Sequence, residues 1–342
     1  VNILIVKLSA VGDVIHTLPS LAALRKRFPD AHLTWVIEEA AADVVRNHPD
    51  LDRVIVSRRK GWWKEIRSGR LWKPLGEIKT FLRDLRDRDF DLVIDFHGLF
   101  KSAILVFLSR GGRKLGYDSY QELSGLFYNE KIPEDMNKHA VDRYLDFPGY
   151  LGAAVMQPEF KIAIGEENRK RVDELLKAHG IAGAFIAMNP VAYWDTKLWE
   201  DERFAALCDR IDEAYGIPVV LTGQQSPSLE KIRSLSRRGV INLEGQTTLK
   251  DLAELYRRAM LLITTDSGPM HLAAAMGTPV VALFGPTDPK RTGPYGPGHR
   301  VIRDPLSCAP CFLKRCREMT CMRSITVETV FKAMEDVLKE RR

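Results

Sequence analysis

The chain alternates short apolar, β-branched runs with longer stretches whose apolar residues recur at helical spacing. Residues 3–6, 33–37, 54–56 and 92–95 read as strands, with helical patterns over 22–28, 41–48 and 77–88 and another opened by Gly98. Runs without polar alternation suit strands covered on both faces, so the pattern predicts parallel sheet built from βαβ units. A second series follows, with strands expected at 185–188, 218–221, 240–241, 261–263 and 280–283, each before a loop and a helical pattern. Residues 148–164 carry Gly149, Gly152 and Pro158 and read as the link. The expected class is α/β: two doubly wound parallel-sheet domains over 1–160 and 161–325, with a boundary between Met156 and Ile164. A last helix, within 326–342, is expected to pack back on the first domain. Ligands of such sheets bind where strand carboxyl ends meet helix N-termini, here in an expected cleft between two domains.

Composition adds little until it is localised. A chain of 342 residues, 45% hydrophobic and 28% charged, has the make-up of a two-domain globular protein. The opening apolar run stops at Lys7, short of a signal peptide, and the apolar stretch 260–286 is broken by Asp266 and His271. A cytoplasmic protein, taken as a monomer, is therefore expected. Between Ser57 and Lys73 stand Arg58, Arg59, Lys60, Lys64, Arg67, Arg70 and Lys73 against Glu65 alone, a surplus equal to the whole chain's +6. Trp62, Trp63 and Trp72 are interleaved with them. Cations mixed with indoles suit an anionic lipid–water boundary; the alternative is a solvated helix face with its rings in the core. One local patch without a recognised module argues against nucleic acid. Cys308, Cys311, Cys316 and Cys321 are clustered, leaving a structural metal site, labile disulfides and reduced thiols all open.

Two segments carry candidate chemistry. After the first strand, Gly12 permits close backbone approach and Asp13 stands at a helix expected to begin near Val14, so its carboxylate is either a cap or a base. One glycine does not make a dinucleotide fingerprint, and Glu38 and Glu39 are generic acids, which disfavours NAD. In the second half, Thr265, Asp266, Ser267, Gly268, Pro269 and His271 run from a strand end into a helix start. Free N–H groups there, with Ser267, suit a diphosphate, His271 is either a phosphate contact or structural, and Asp266 is assigned to sugar hydroxyls. Gly223 follows another strand of this half. No Asp-x-Asp magnesium pair stands out, so Lys197 is the cation expected to balance a leaving diphosphate, against the plain reading of a surface lysine.

These residues resemble the bacterial lipopolysaccharide heptosyltransferases, most of all heptosyltransferase I, a GT-B glycosyltransferase family of two facing Rossmann-like domains. The resemblance spans nearly the whole chain. It rests on Leu4-Ile-Val-Lys-Leu-Ser-Ala-Val-Gly-Asp-Val-Ile-His-Thr-Leu-Pro19, on Val93-Ile-Asp-Phe-His-Gly-Leu-Phe-Lys-Ser-Ala103 and on Leu126-Phe-Tyr-Asn129 before His139-Ala-Val141. It also rests on Thr265-Asp-Ser-Gly-Pro-Met-His-Leu272 and Leu283-Phe-Gly-Pro-Thr-Asp-Pro289. It implies inverting transfer of L-glycero-D-manno-heptose from ADP-heptose to a Kdo of lipid A, on the inner face of the inner membrane, with no metal or other cofactor required. By the same resemblance Asp13 is the catalytic base. Gly12, Lys197, Gly223, Thr265, Asp266, Ser267, Gly268 and His271 are donor-binding residues; Arg58, Arg59, Lys60, Lys64, Lys101 and Arg143 are acceptor-binding. Ala192, Tyr193 and Gln224-Gln-Ser226 depart from the pattern where phosphate and ribose contacts are expected, unless Glu230 reaches the ribose. The cysteine segment is similar to heptosyltransferase II-like members, so a different acceptor or sugar donor is one alternative. A non-catalytic binder of anionic glycolipid is another.

Overall fold

Ile3, Leu4, Ile5 and Val6 are wholly buried because β1 (Asn2–Val6) lies between two neighbours: Ile3 pairs with Leu33 of β2 (His32–Glu38) and with Leu92 of β4 (Phe90–Asp95). In this computed structural model, residues 1–119, 121–154 and 157–340 are described; Met156, one end of the expected boundary, lies outside them. The chain divides into units Val1–Ala163 and Ile164–Arg342.

In the first unit β3 (Arg53–Ser57), β5 (Gly111–Tyr117) and β6 (Glu130–Ile132) complete a parallel sheet of order β3-β2-β1-β4-β5-β6. The pattern of apolar runs missed β5 because it opens with Gly111-Gly-Arg-Lys114, mostly exposed toward one edge. Gly111 is required there: a Cβ would lie 2.3 Å from Val93 Cγ2. The helix after β1 runs Val11–Arg27, starting three residues before Val14, and packs against the helix Ala140–Tyr150. Pro148 and Gly149 belong to that second helix, so the link begins later than expected. The helical pattern over 77–88 becomes the helix Trp72–Leu85, preceded by Arg59–Arg67.

The second unit repeats the plan. β7 (Ile186–Asn189), β8 (Val219–Leu221), β9 (Ile241–Asn242), β10 (Leu262–Thr265), β11 (Val280–Leu283) and β12 (Arg300–Ile302) form a parallel sheet of order β12-β11-β10-β7-β8-β9. Counted from β7, that is the order of the first sheet. The last helix, Val327–Lys339, expected on the first domain, is part of the second unit. Val330, Phe331, Met334, Val337 and Leu338 join the core of the second unit, against the helix Asp201–Tyr215 and β12, because its apolar stripe covers that face of the sheet. No described helix is long and apolar enough to cross a membrane.

Each sheet reverses its strand order once beside its first strand, at β1/β4 and at β7/β10. Loops leaving such neighbours diverge and open a crevice at the carboxyl ends.

Candidate active site

At the β1/β4 crevice the chain presents Asp13, half-buried in the first turn of the helix Val11–Arg27, with Gly12 buried beside it. Asp13 Oδ2 accepts from the Ala10 N–H at 3.2 Å, so the carboxylate does serve as a cap. Its other oxygen, Oδ1, is approached by the Tyr144 hydroxyl at 3.4 Å. Beneath stands Lys7, 3% exposed, donating to Tyr144 Oη at 2.6 Å and to the Phe96 carbonyl at 2.9 Å. Burial holds the Lys7 ammonium below its ordinary range, opposed by the charges of Asp13 and Asp95. Asp95, wholly buried at the end of β4, is pushed up by burial although the Tyr128 hydroxyl and the His97 and Gly98 N–H groups donate to it. Those bonds shape the loop that carries His97. Burial and then the charges of Lys7 and Lys101 push the His97 imidazole down to about 2, against a raising contact with the Ser9 backbone, so it is neutral.

The expected acceptor cations gather on an acid dismissed as generic. Glu38, 3% exposed at the end of β2, binds Arg59 Nη2 at 2.8 Å, with Lys60 Nζ at 3.7 Å and Lys101 Nζ at 3.9 Å. Lys101 also donates to Ser9 Oγ at 3.1 Å, and burial lowers its basicity. One buried anion under three cations offsets part of their mutual repulsion and leaves the cluster net positive. Arg59, Lys60, Trp63, Lys64 and Arg67 line one surface depression, with Lys64 exposed. Arg58 and Arg143 differ. Arg58 is clamped by both oxygens of Glu77 at 2.8 and 3.0 Å and by Glu39 at 3.2 Å, and Trp62 Nε1 donates to Glu77 too. Arg143 is 7% exposed and paired with Glu134 at 3.0 Å. Both are held in ion pairs, Arg143 buried and Arg58 still partly exposed. The indoles divide: Trp62 enters the core, whereas Trp63 and Trp72 are 56% and 90% exposed.

At the β7/β10 crevice Lys197, in the turn Asp195–Lys197, and Asp266, after β10, meet each other: Nζ lies 2.6 Å from Oδ2. The Thr287 hydroxyl, from the loop after β11, donates to the same oxygen at 2.6 Å. Asp266 therefore holds the expected phosphate cation, and only Oδ1 is outside this arrangement. Ser267 is the N-cap of the helix Gly268–Ala275, with Pro269 in its first turn; no side chain caps it, which leaves its N–H groups for an anion. Ser267 Oγ lies 3.4 Å from Thr264 Oγ1, and Thr265 Oγ1 donates to the Val191 carbonyl at 3.3 Å. His271 is buried in the same helix. Gly223, after β8, has no room for a side chain: a Cβ would lie 2.9 Å from Val191 Cγ2. Glu230 does not serve the turn 224–226, since it faces solvent and pairs with Arg233; the acid beside that turn is Glu244, which accepts from the Ser226 N–H. The four clustered cysteines are free thiols, and among the described residues no group of His, Cys, Asp or Glu is arranged to hold a metal ion. The metal reading of that cluster is thereby unsupported.

Lys7, Tyr144, Glu38, His97 and Thr287 were not singled out from sequence. A charged residue closing an apolar strand, as Lys7 and Glu38 do, is the signal that marks two of them; His97 and Thr287 lie in segments that carry the family resemblance, and Tyr144 carries no signal.

Two crevices of this kind suit a nucleotide-sugar enzyme, and comparison with known proteins decides which. The sequence profile of glycosyltransferase family 9 (heptosyltransferase) matches residues 78–322. The chain belongs to glycosyltransferase family 9. Lipopolysaccharide heptosyltransferase 1 of Pseudomonas aeruginosa is 33% identical over 325 residues, covering 92% of this chain and 87% of that protein. The structure of the Escherichia coli heptosyltransferase WaaC with ADP superposes with a TM-score of 0.81 at 29% identity, over 98% of this chain and 100% of that one. The structure of WaaC with ADP-2-deoxy-2-fluoro heptose gives 0.78 at 28% identity, covering 98% and 99%. The fold of this family 9 member is accordingly GT-B, with two Rossmann-like units.

Proposed function

We propose that this family 9 glycosyltransferase transfers L-glycero-D-manno-heptose from ADP-heptose to a Kdo sugar of the lipid A inner core, with inversion. The observation that carries the reading is the position of Asp13: a half-buried carboxylate at the β1/β4 crevice, one oxygen tied to the Ala10 N–H, in a chain 33% identical to a lipopolysaccharide heptosyltransferase 1. Asp13 takes the proton of the acceptor hydroxyl as that oxygen attacks the anomeric carbon on the face opposite ADP. ADP leaves without a general acid once its charge is offset. Lys197, with N–H bonds beyond the one aimed at Asp266, and the uncapped start of the helix Gly268–Ala275 supply that offset, with no metal required. Asp266 Oδ1 is left for a sugar hydroxyl. The Arg59, Lys60 and Lys101 cluster over Glu38 receives the anionic acceptor, and Trp63 and Trp72 among their basic neighbours rest on the inner face of the inner membrane.

ADP release and glycolipid product, measured with ADP-heptose and Kdo-lipid A, test this. Asp13→Ala is expected to lower kcat by roughly 10²- to 10⁴-fold, the usual worth of a general base. Near wild-type turnover by that variant removes Asp13 from the chemistry, and no product from the native chain removes the assigned substrates.

A further inference from the structure

The buried Lys7 has no part in the transfer just described, yet it is among the least exposed cations of the chain. An isolated ammonium is costly to bury, so its partners reveal what it is for. Two of its N–H bonds go to the Phe96 carbonyl at 2.9 Å and to Tyr144 Oη at 2.6 Å. An ammonium can only donate, so at this contact Tyr144 must accept, and its own proton has to point elsewhere. The acceptor within reach is Asp13 Oδ1, at 3.4 Å. We infer that Tyr144, its hydroxyl direction set by Lys7, is a positioning residue that fixes the Asp13 carboxylate for proton transfer.

The two carboxylate oxygens are then held from two elements. Ala10 N–H, at the start of the helix Val11–Arg27, meets Oδ2 at 3.2 Å, and Tyr144, on the helix Ala140–Tyr150, meets Oδ1. These two helices pack on one another, so the carboxylate cannot turn about its Cβ–Cγ bond without losing one contact. Tyr144 is 6% exposed and its ring packs edge-on against Phe96 at 6.1 Å, so the hydroxyl has little freedom of its own. At 3.4 Å the Tyr144 contact is long for O–H···O, of the kind that shortens in a substrate complex. Holding a base in one orientation acts on the chemical step and not on substrate affinity.

This inference rests on Asp13 being the base, and the experiment separates the two. Tyr144→Phe keeps the ring and removes the hydroxyl. With ADP-heptose and Kdo-lipid A, kcat is expected to fall about ten- to a hundredfold while both KM values stay within about twofold. In an Asp13→Asn background the same substitution is expected to cost less than about twofold, because the group it positions is already lost. A kcat for Tyr144→Phe within twofold of wild type, a rise in KM instead, or an equal loss in both backgrounds overturns the inference. If Tyr144→Phe is destabilised by more than a few degrees in a melt, Lys7→Met carries the same cycle, since it leaves the hydroxyl in place but undirected. Asp13→Asn with near wild-type turnover sinks the base itself, whereas an inactive Asp13→Asn beside an unimpaired Tyr144→Phe sinks only the positioning role.

Discussion

His97 shows how a single side chain is set by its surroundings rather than by its own preference. Burial removes water, the charges of Lys7, Lys101 and Arg59 bear on it as well, and its basicity falls from 6.5 to about 2. A neutral imidazole adds no further cation beside Lys7 and Lys101. The same shift is a statement about stability. The folded pKa lies below the unfolded one, so the unfolded chain takes up the proton first as pH falls through 6.5, and stability present above that value is lost on the acid side. One such group removes about 2 kcal/mol between pH 8 and pH 5. His97→Gln cannot charge, and its melting temperature is expected to fall several degrees less than that of the native chain over that interval. Parallel melting curves for the two proteins would rule this account out.

Among the elements, the strands that carry apolar runs were legible in the sequence, the edge strands β3 and β9 among them, whereas β5, β6 and β12 were not. β1, β4, β7, β10 and β11 are covered on both faces and write themselves as unbroken apolar runs; β5, β6 and β12 lie toward or at sheet edges, where half the positions face solvent and the run dissolves. The strand-end turns around Asp13 and Asp266 were legible because a strand, a polar turn and a helix start follow one another in sequence. The Lys197–Asp266 pair and the cluster over Glu38 were not, because each joins loops distant in sequence that only the strand order β10-β7 or β2-β1-β4 brings side by side. The last helix was legible as an element, but its stripe says only that it buries a face; in the structure that face joins the core of the second unit. Since Met334 is wholly buried in the second core, Met334→Ala is expected to cost about 2–5 kcal/mol and to weaken ADP binding at 37 °C through loss of the folded second unit. An unchanged melt would mean that the helix is dispensable to that unit.

For the molecule as a whole, the +6 surplus is less informative than its confinement to one segment of the first unit, since residues 57–73 alone carry it. A charge spread evenly would govern solubility; one concentrated beside exposed indoles selects a surface. Within that segment, Arg58 is spent on Glu77 and Glu39, while Lys64, Arg67, Arg70 and Lys73 remain exposed next to Trp63 and Trp72. An exposed cation near an anionic leaflet contributes on the order of 1 kcal/mol, and an indole at headgroup depth adds affinity that salt does not screen. The two contributions can therefore be told apart. Sedimentation with vesicles of phosphatidylglycerol and phosphatidylethanolamine is expected to carry the native chain down at low salt and to lose most of it at about 1 M salt, where the Debye length is roughly 3 Å. Trp63→Ser with Trp72→Ser is expected to reduce bound protein severalfold at low salt while leaving ADP affinity, which the proposed function assigns to the second unit, unchanged. Equal partition of the native and doubly substituted chains would remove the indoles from the membrane contact, and failure of the native chain to bind anionic vesicles at low salt would remove the contact itself.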